Sequence, residues 1–195
     1  MGWHEVMEEL EWKLGGILRG EYRPRDGIPF FRVQYPPQEE RKALSEFHLL
    51  SERLKQHSWQ VGCLSLTDVL RETLADMLNC PLDALHERLR KLEQERDREE
   101  LQMALWGHLP ERVAEKLVEK LTPFPQNSIV ILLRTGALYP FVRPSALLAR
   151  LENRVNCIIV LAYPSTTLGE LLDTVPTSLH GGYYRGEVIY WREGG

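Results

Sequence analysis

The side chains that could do chemistry here are six histidines, three cysteines and a scatter of hydroxyls at the ends of apolar runs. Spacing decides what they can do. His4, His48, His57, His86, His108 and His180 form no HxH, HxxxH or HExxH pattern, the spacings that bring two imidazoles to one metal ion. Distant residues converge in folded chains, so this weighs against a metal site rather than forbidding one. Surface or hydrogen-bonded histidines, no metal and no cofactor are the expectation. Cys63, Cys80 and Cys157 are an odd number of thiols with no CxxC pair, which fits free cysteines in a reducing compartment. Cys63 and Cys157 lie in apolar runs, where cysteine packs as a small hydrophobe, and neither has a base beside it in sequence to generate a thiolate.

Nucleotide hydrolysis needs a glycine-rich phosphate turn, a lysine for the β- and γ-phosphates and a carboxylate for magnesium. The sequence has no GxxxxGK[ST] and no Gly-Lys pair anywhere. Its two most apolar runs end at Arg134 and Tyr163, neither of them acidic, and GxGxxG and GxSxG are missing too. The chain therefore reads as a non-enzyme. Tyr35, Ser65, Thr67, Thr135, Tyr163, Ser165, Thr166 and Thr167 stand at the ends of the strands, where open α/β sheets bind ligands. They keep one alternative open: a divergent nucleotide-binding or hydrolytic enzyme without a standard phosphate loop.

The most distinctive stretch is residues 133–145, where a β-rich run empties into a segment carrying Arg134, Tyr139, Phe141 and Arg143. Arginine and aromatic side chains are enriched at protein-interface hot spots, so these four are the candidate partner-binding residues. A conformational reading stands beside that one. In it Gly136 permits the turn, Leu138 and Phe141 plug the core, and Arg143 caps the sheet edge.

What must position these residues is one domain, residues 1–195. Of the 195 residues 43% are hydrophobic and 27% charged, an ordinary globular composition. The net charge is −4, and many arginines and lysines alternate with acids, as in Glu39, Glu40, Arg41 and Lys42. A nucleic-acid domain usually shows a basic stripe instead, so direct DNA binding is the weakest reading. No apolar run approaches the ~20 residues of a membrane span, and the amino terminus lacks the apolar core of a signal peptide. A cytoplasmic location is expected.

Trp3, Val6, Met7, Leu10, Leu14, Ile17 and Leu18 recur at helical spacing, and a strand from Phe31 to Tyr35 follows. Pro36-Pro37 leads into a helix with Leu44, Phe47, Leu50 and Leu54 on one face. Residues 60–66 read as a strand, with Ser65 or Thr67 capping a helix that carries Leu70, Leu74, Met77 and Leu78. Pro81 opens another helix with Leu82, Leu85, Leu89 and Leu92 as its seam. Residues 93–100 have no apolar side chain. A solvated helix held by charge pairs is the favoured reading, and a segment projecting toward a partner is the sharper one. Apolar spacing resumes at Leu101, Ala104, Leu105 and Leu109, and Pro110 is read as the start of a short helix with Val113, Leu117 and Leu121.

Residues 129–133 and 157–163 are continuous β-rich runs, the mark of strands buried on both faces of a parallel sheet. A helix with Pro144, Leu147, Leu148 and Leu151 separates them as a βαβ unit. Gly181-Gly182 introduces a final edge strand, 183–191. The fold expected is α/β: a sheet of about five strands, mainly parallel, with helices on both faces and a helical insertion or lobe at about 67–122.

At residues 134–148 the sequence resembles the BrxB family of BREX (bacteriophage exclusion) phage-defence systems. The resemblance rests on Arg134, Gly136-Ala137-Leu138, Pro140-Phe141, Arg143 and Ser145-Ala146-Leu147-Leu148. Pro29-Phe30, Arg32, Tyr35-Pro36, Ser65-Leu66, Tyr163-Pro164, Tyr184-Arg185 and Ile189-Tyr190 flank them in the expected order. Ser165 replaces the glycine expected after Tyr-Pro, and residues 171–182 match poorly. The resemblance implies a small BREX component without established enzymatic activity. It would work with an ATPase, a DNA methyltransferase and, in direct contact, a PglZ-like protein of the alkaline-phosphatase superfamily. The expectation is a non-catalytic adaptor that meets its partner through the Arg134 to Arg143 loop or the helical lobe.

Overall fold

The computed structural model describes residues 2–165 and 186–192. A five-stranded sheet runs through it in the order β2-β3-β4-β1-β5, with every neighbouring pair parallel. The strands are β1 (Phe30–Tyr35), β2 (Gln60–Ser65), β3 (Ser128–Leu133), β4 (Ile158–Pro164) and β5 (Glu187–Tyr190). Central β3 and β4 are buried at every position, as expected for unbroken apolar runs. Their register sets Ile129 beside Ile158 and Ile131 beside Val160.

The helices are α1 (Trp3–Leu18), α2 (Glu40–Gln56), α3 (Leu66–Met77), α4 (Leu85–Glu95), α5 (Arg98–Leu121) and α6 (Pro144–Leu151). They cover both faces. On one face α1 and α2 set Val6, Leu10, Leu14, Phe47, Leu50 and Leu54 against Phe31, Val33, Ile131 and Val160. On the other face α3, α5 and α6 set Val69, Val113, Leu117, Leu147 and Leu151 against Val130, Leu132, Ile159 and Leu161. Each such leucine or valine contributes roughly 1.5–3 kcal/mol by leaving water.

Local chemistry explains several boundaries. Ser65 rather than Thr67 caps α3, its hydroxyl accepting from the Asp68 amide at 3.4 Å. The buried stripe of α3 is Leu66, Val69, Thr73 and Ala75, one step round from the expected leucines, and Met77 is exposed. Glu187 fastens edge strand β5. It accepts from the Tyr22 hydroxyl at 2.6 Å, the Arg25 amide at 2.9 Å and Lys13 Nζ at 2.9 Å.

Residues 93–100 are not one helical stretch. α4 ends at Glu95, Arg96 is extended (φ −123°, ψ 150°), and the Asp97 carboxylate caps α5 by accepting from the Glu99 amide at 3.0 Å. Nor does Pro110 begin a helix. α5 runs straight through it for 24 residues, because Leu109 on one side and Val113, Leu117 and Leu121 on the other are held in the core. Proline removes one amide from the ladder, and burial of the flanking turns outweighs that loss. The Pro81 helix likewise starts late, at Leu85, and leaves Leu82 exposed.

The 67–122 segment proves to be the crossover between neighbouring parallel strands β2 and β3. α3 and the second half of α5 lie on the sheet, while α4 and the first half of α5 carry few buried residues. Gly181, Gly182 and Tyr183 lie outside the described residues, as do the whole of 171–182 and Tyr184-Arg185. Ile189 and Tyr190 belong to β5 at the sheet edge.

Candidate partner-binding site

The loop after β3 starts with a backbone reversal at an unusual residue. Arg134 takes left-handed angles, φ 61° and ψ 41°, a conformation uncommon for a side chain that is neither glycine nor asparagine. Gly136, the residue expected to permit the turn, has no positive φ. Thr135 is buried and donates its hydroxyl to the Ala162 carbonyl at 2.5 Å, tying the loop to β4. A 3-10 turn over Thr135–Leu138 follows. Leu138 and Val142 then sink into the core, and the Val142 amide donates to the Leu138 carbonyl at 2.8 Å.

Between those two anchors the chain bulges outward. Tyr139 is 65% exposed. Phe141 is half-buried, its ring centroid 6.3 Å from that of Trp106 on α5. Arg143 is exposed and immediately precedes α6, where its carbonyl accepts from the Leu147 amide at 3.0 Å. It caps nothing at the sheet edge. Pro140 and Phe141 border an open groove of about 580 Å³, completed by Glu93, Arg98, Leu101, Gln102 and Leu105.

The structure thus gathers Tyr139, Phe141 and Arg143 on one loop surface. Arg134 stands at the loop's base on the strand-end side, where its charge acts on the Tyr35 phenol. Burial and a 2.7 Å hydrogen bond to Glu40 nevertheless push that phenol far above its ordinary range. Two surface residues escaped the sequence reading: Met103, 65% exposed, and Trp106, 47% exposed. Placing a helix start at Pro110 hid them, since it cut the stripe to which both belong.

Hydroxyl and ring donors at the strand ends are mostly committed to the protein itself. Tyr35 donates to Glu40, Thr135 to Ala162, and Trp3 Nε1 to Glu39 at 2.7 Å. Thr166 and Thr167 lie outside the described residues, as does His180. Among the described residues no three His, Cys, Asp or Glu side chains converge as metal ligands. Burial pushes the Cys157 thiol up to about 11 and raises that of Cys63 as well, so neither carries much thiolate near neutrality. Among the described residues no helix is long and apolar enough to cross a membrane.

Three comparisons with known proteins bear on this surface. A family model described as BREX protein BrxB matches residues 65–189, well over half of the chain. The match takes in α3 to α6 and the whole Arg134 to Arg143 loop. No curated protein matches significantly. Among solved structures, one similar chain comes from the "Structure of Drosophila ORC bound to poly(dA/dT) DNA and Cdc6 (conformation 1)". It aligns at TM-score 0.41 and 15% identity, over 97% of this chain but 29% of its own length. So loose a likeness bears on neither fold nor function.

Proposed function

This chain belongs to the BrxB family of BREX proteins, and from that premise we propose that it is a non-catalytic adaptor binding a larger protein of the same phage-defence system. As a family member it is a BREX component; the adaptor role and its partner are the article's own reading. The partner the family resemblance favours is the PglZ-like protein.

One observation carries the reading: Tyr139 stands exposed between two buried anchors, Leu138 and Val142, with Phe141 and Arg143 beside it. A side chain held that way loses little further freedom on binding, which is what makes an aromatic a good anchor. Arg143 adds a directional cation at the rim. Arg134 contributes by setting the loop's departure from β3.

The test is co-purification of the chain with each other component of its BREX system, taken one at a time. The PglZ-like protein is expected to be retained. Tyr139→Ala with Phe141→Ala should abolish retention, and Arg143→Glu should weaken it, while circular dichroism shows an unchanged fold. Retention that survives all three changes would remove the loop from the interface. Calorimetry with common nucleotides tests the enzyme alternative, for which no heat is expected.

A further inference from the structure

α5 carries an apolar stripe longer than the part of it that this chain covers. Met103, Trp106, Gly107 and Pro110 recur at i, i+3, i+4 and i+7, so they lie on one face of the helix. The same face continues as Ala114, Leu117 and Leu121, all buried. Over the first half of the helix the covering stops. Met103 is 65% exposed, Trp106 is 47% exposed, and Gly107 is exposed beside them.

Two details of this uncovered half serve nothing within the chain. A glycine inside a helix is destabilising relative to alanine, and is retained where another backbone must approach closely. A Cβ on Gly107 would meet no atom within 4 Å, so nothing in this chain makes that approach. Pro110 has no amide to offer the Trp106 carbonyl four residues back, which leaves an acceptor on the same face. The carboxylates nearest the open end of the stripe, Glu99 and Glu100, are exposed and form no ion pair among the described residues. Arg98 is turned away, lining the groove with Leu101 and Phe141.

We infer that the Met103, Trp106, Gly107 and Pro110 face of α5 receives an amphipathic helix of a protein partner, one with basic residues along its rim. A straight stripe at helical spacing suits a helix laid along it, and a glycine in mid-stripe gives a large apolar side chain of that helix somewhere to sit. Basic rim residues would meet Glu99, Glu100 and the Trp106 carbonyl. A second copy of this chain fits less well, because it would bring the same two carboxylates to the contact. The inference rests on the adaptor reading and adds the mode of contact to it.

The test uses the full chain and each BREX component of its own system, with affinity measured by biolayer interferometry. Gly107→Leu fills open space with a better helix former, so the chain alone should melt at the same temperature or higher. The same change should weaken the complex about tenfold or more by occupying the partner's seat. Met103→Glu with Trp106→Glu should weaken it roughly thirtyfold or more, a loss of hot-spot size. Glu99→Lys with Glu100→Lys should cost about fivefold and flatten the salt dependence of association. Undiminished affinity in Gly107→Leu and in the Met103/Trp106 pair overturns the inference, yet leaves the adaptor reading intact if the Tyr139/Phe141 variant is still defective. Failure of wild type to bind any component overturns both. Sedimentation equilibrium supplies the last arm: a dimer of the chain alone that Gly107→Leu dissociates would make the occupant a second copy and overturn the inference as well.

Discussion

The two halves of α5 have the same kind of sequence and opposite surroundings. From Leu109 to Leu121 the apolar stripe is pressed onto the sheet by α3 and α6, and Lys116 and Lys120 reach Asp76 and Glu72 on α3 at 2.7 Å each. From Arg98 to His108 no residue is buried, although Met103 and Trp106 continue the stripe. Helical periodicity is therefore not a measure of burial. It says which side of a helix is apolar and leaves open whether that side is covered by the same chain. In a protein meant to join a larger assembly, the uncovered part is where a partner is to be sought.

The sharpest way to break this comparison is to truncate one side chain in each half. Leu117→Ala should destabilise the chain by about 2–5 kcal/mol, the range for a core leucine that leaves a cavity. Trp106→Ala, although it removes a larger side chain, should cost under about 1 kcal/mol, because only its contact with Phe141 is lost. Urea denaturation of the two variants decides it. Equal losses would mean that the first half of the helix is as well covered as the second.

A smaller effect of opposite sign is expected at Gly107. With space for a Cβ, Gly107→Ala should stabilise the chain by about 0.5–1 kcal/mol, read as a raised melting temperature. Hydrogen exchange should rank the halves in the same order. Amides over 113–121 should exchange only on global unfolding, and those over 101–106 through local fraying.

The smallest effect concerns the ion pairs that only the second half makes. The Asp76 carboxylate holds the Lys116 ammonium above its ordinary range, and Glu119 adds to this against a modest opposing effect of burial. A raised folded-state value means that this stabilisation is complete below the ordinary lysine range near 10.5 and is lost as pH rises through the folded value. Stability should therefore decline at alkaline pH by less than about 1 kcal/mol, since the pair is solvent-accessible. Lys116→Met should remove that part of the decline, which denaturation at pH 9 and pH 11.5 would show.

Much of the architecture was legible in the sequence. The unbroken apolar runs of β3 and β4 identify central strands, because only a strand buried on both faces needs every position apolar. The stripes of α1 and α2 were readable for a similar local reason, and the loop bearing Tyr139, Phe141 and Arg143 stood out by residue type. What misled was local as well. Pro110 looks like a helix start to any rule confined to neighbouring residues, and Gly136 looks like the left-handed residue of its turn. In the folded chain Pro110 lies inside α5, and Arg134 takes the left-handed angles instead.

The sequence by itself determined the kinds of element, their order and the apolar side of each, since these follow from periodicities of 2.0 and 3.6 residues acting within one segment. Only the tertiary structure decided that β1 lies between β4 and β5, that Trp106 meets Phe141, and that the stripe of α5 runs out of cover before it ends. Those outcomes depend on contacts between residues far apart in the chain. No pattern within a segment records how much of its apolar face the rest of the molecule is large enough to bury.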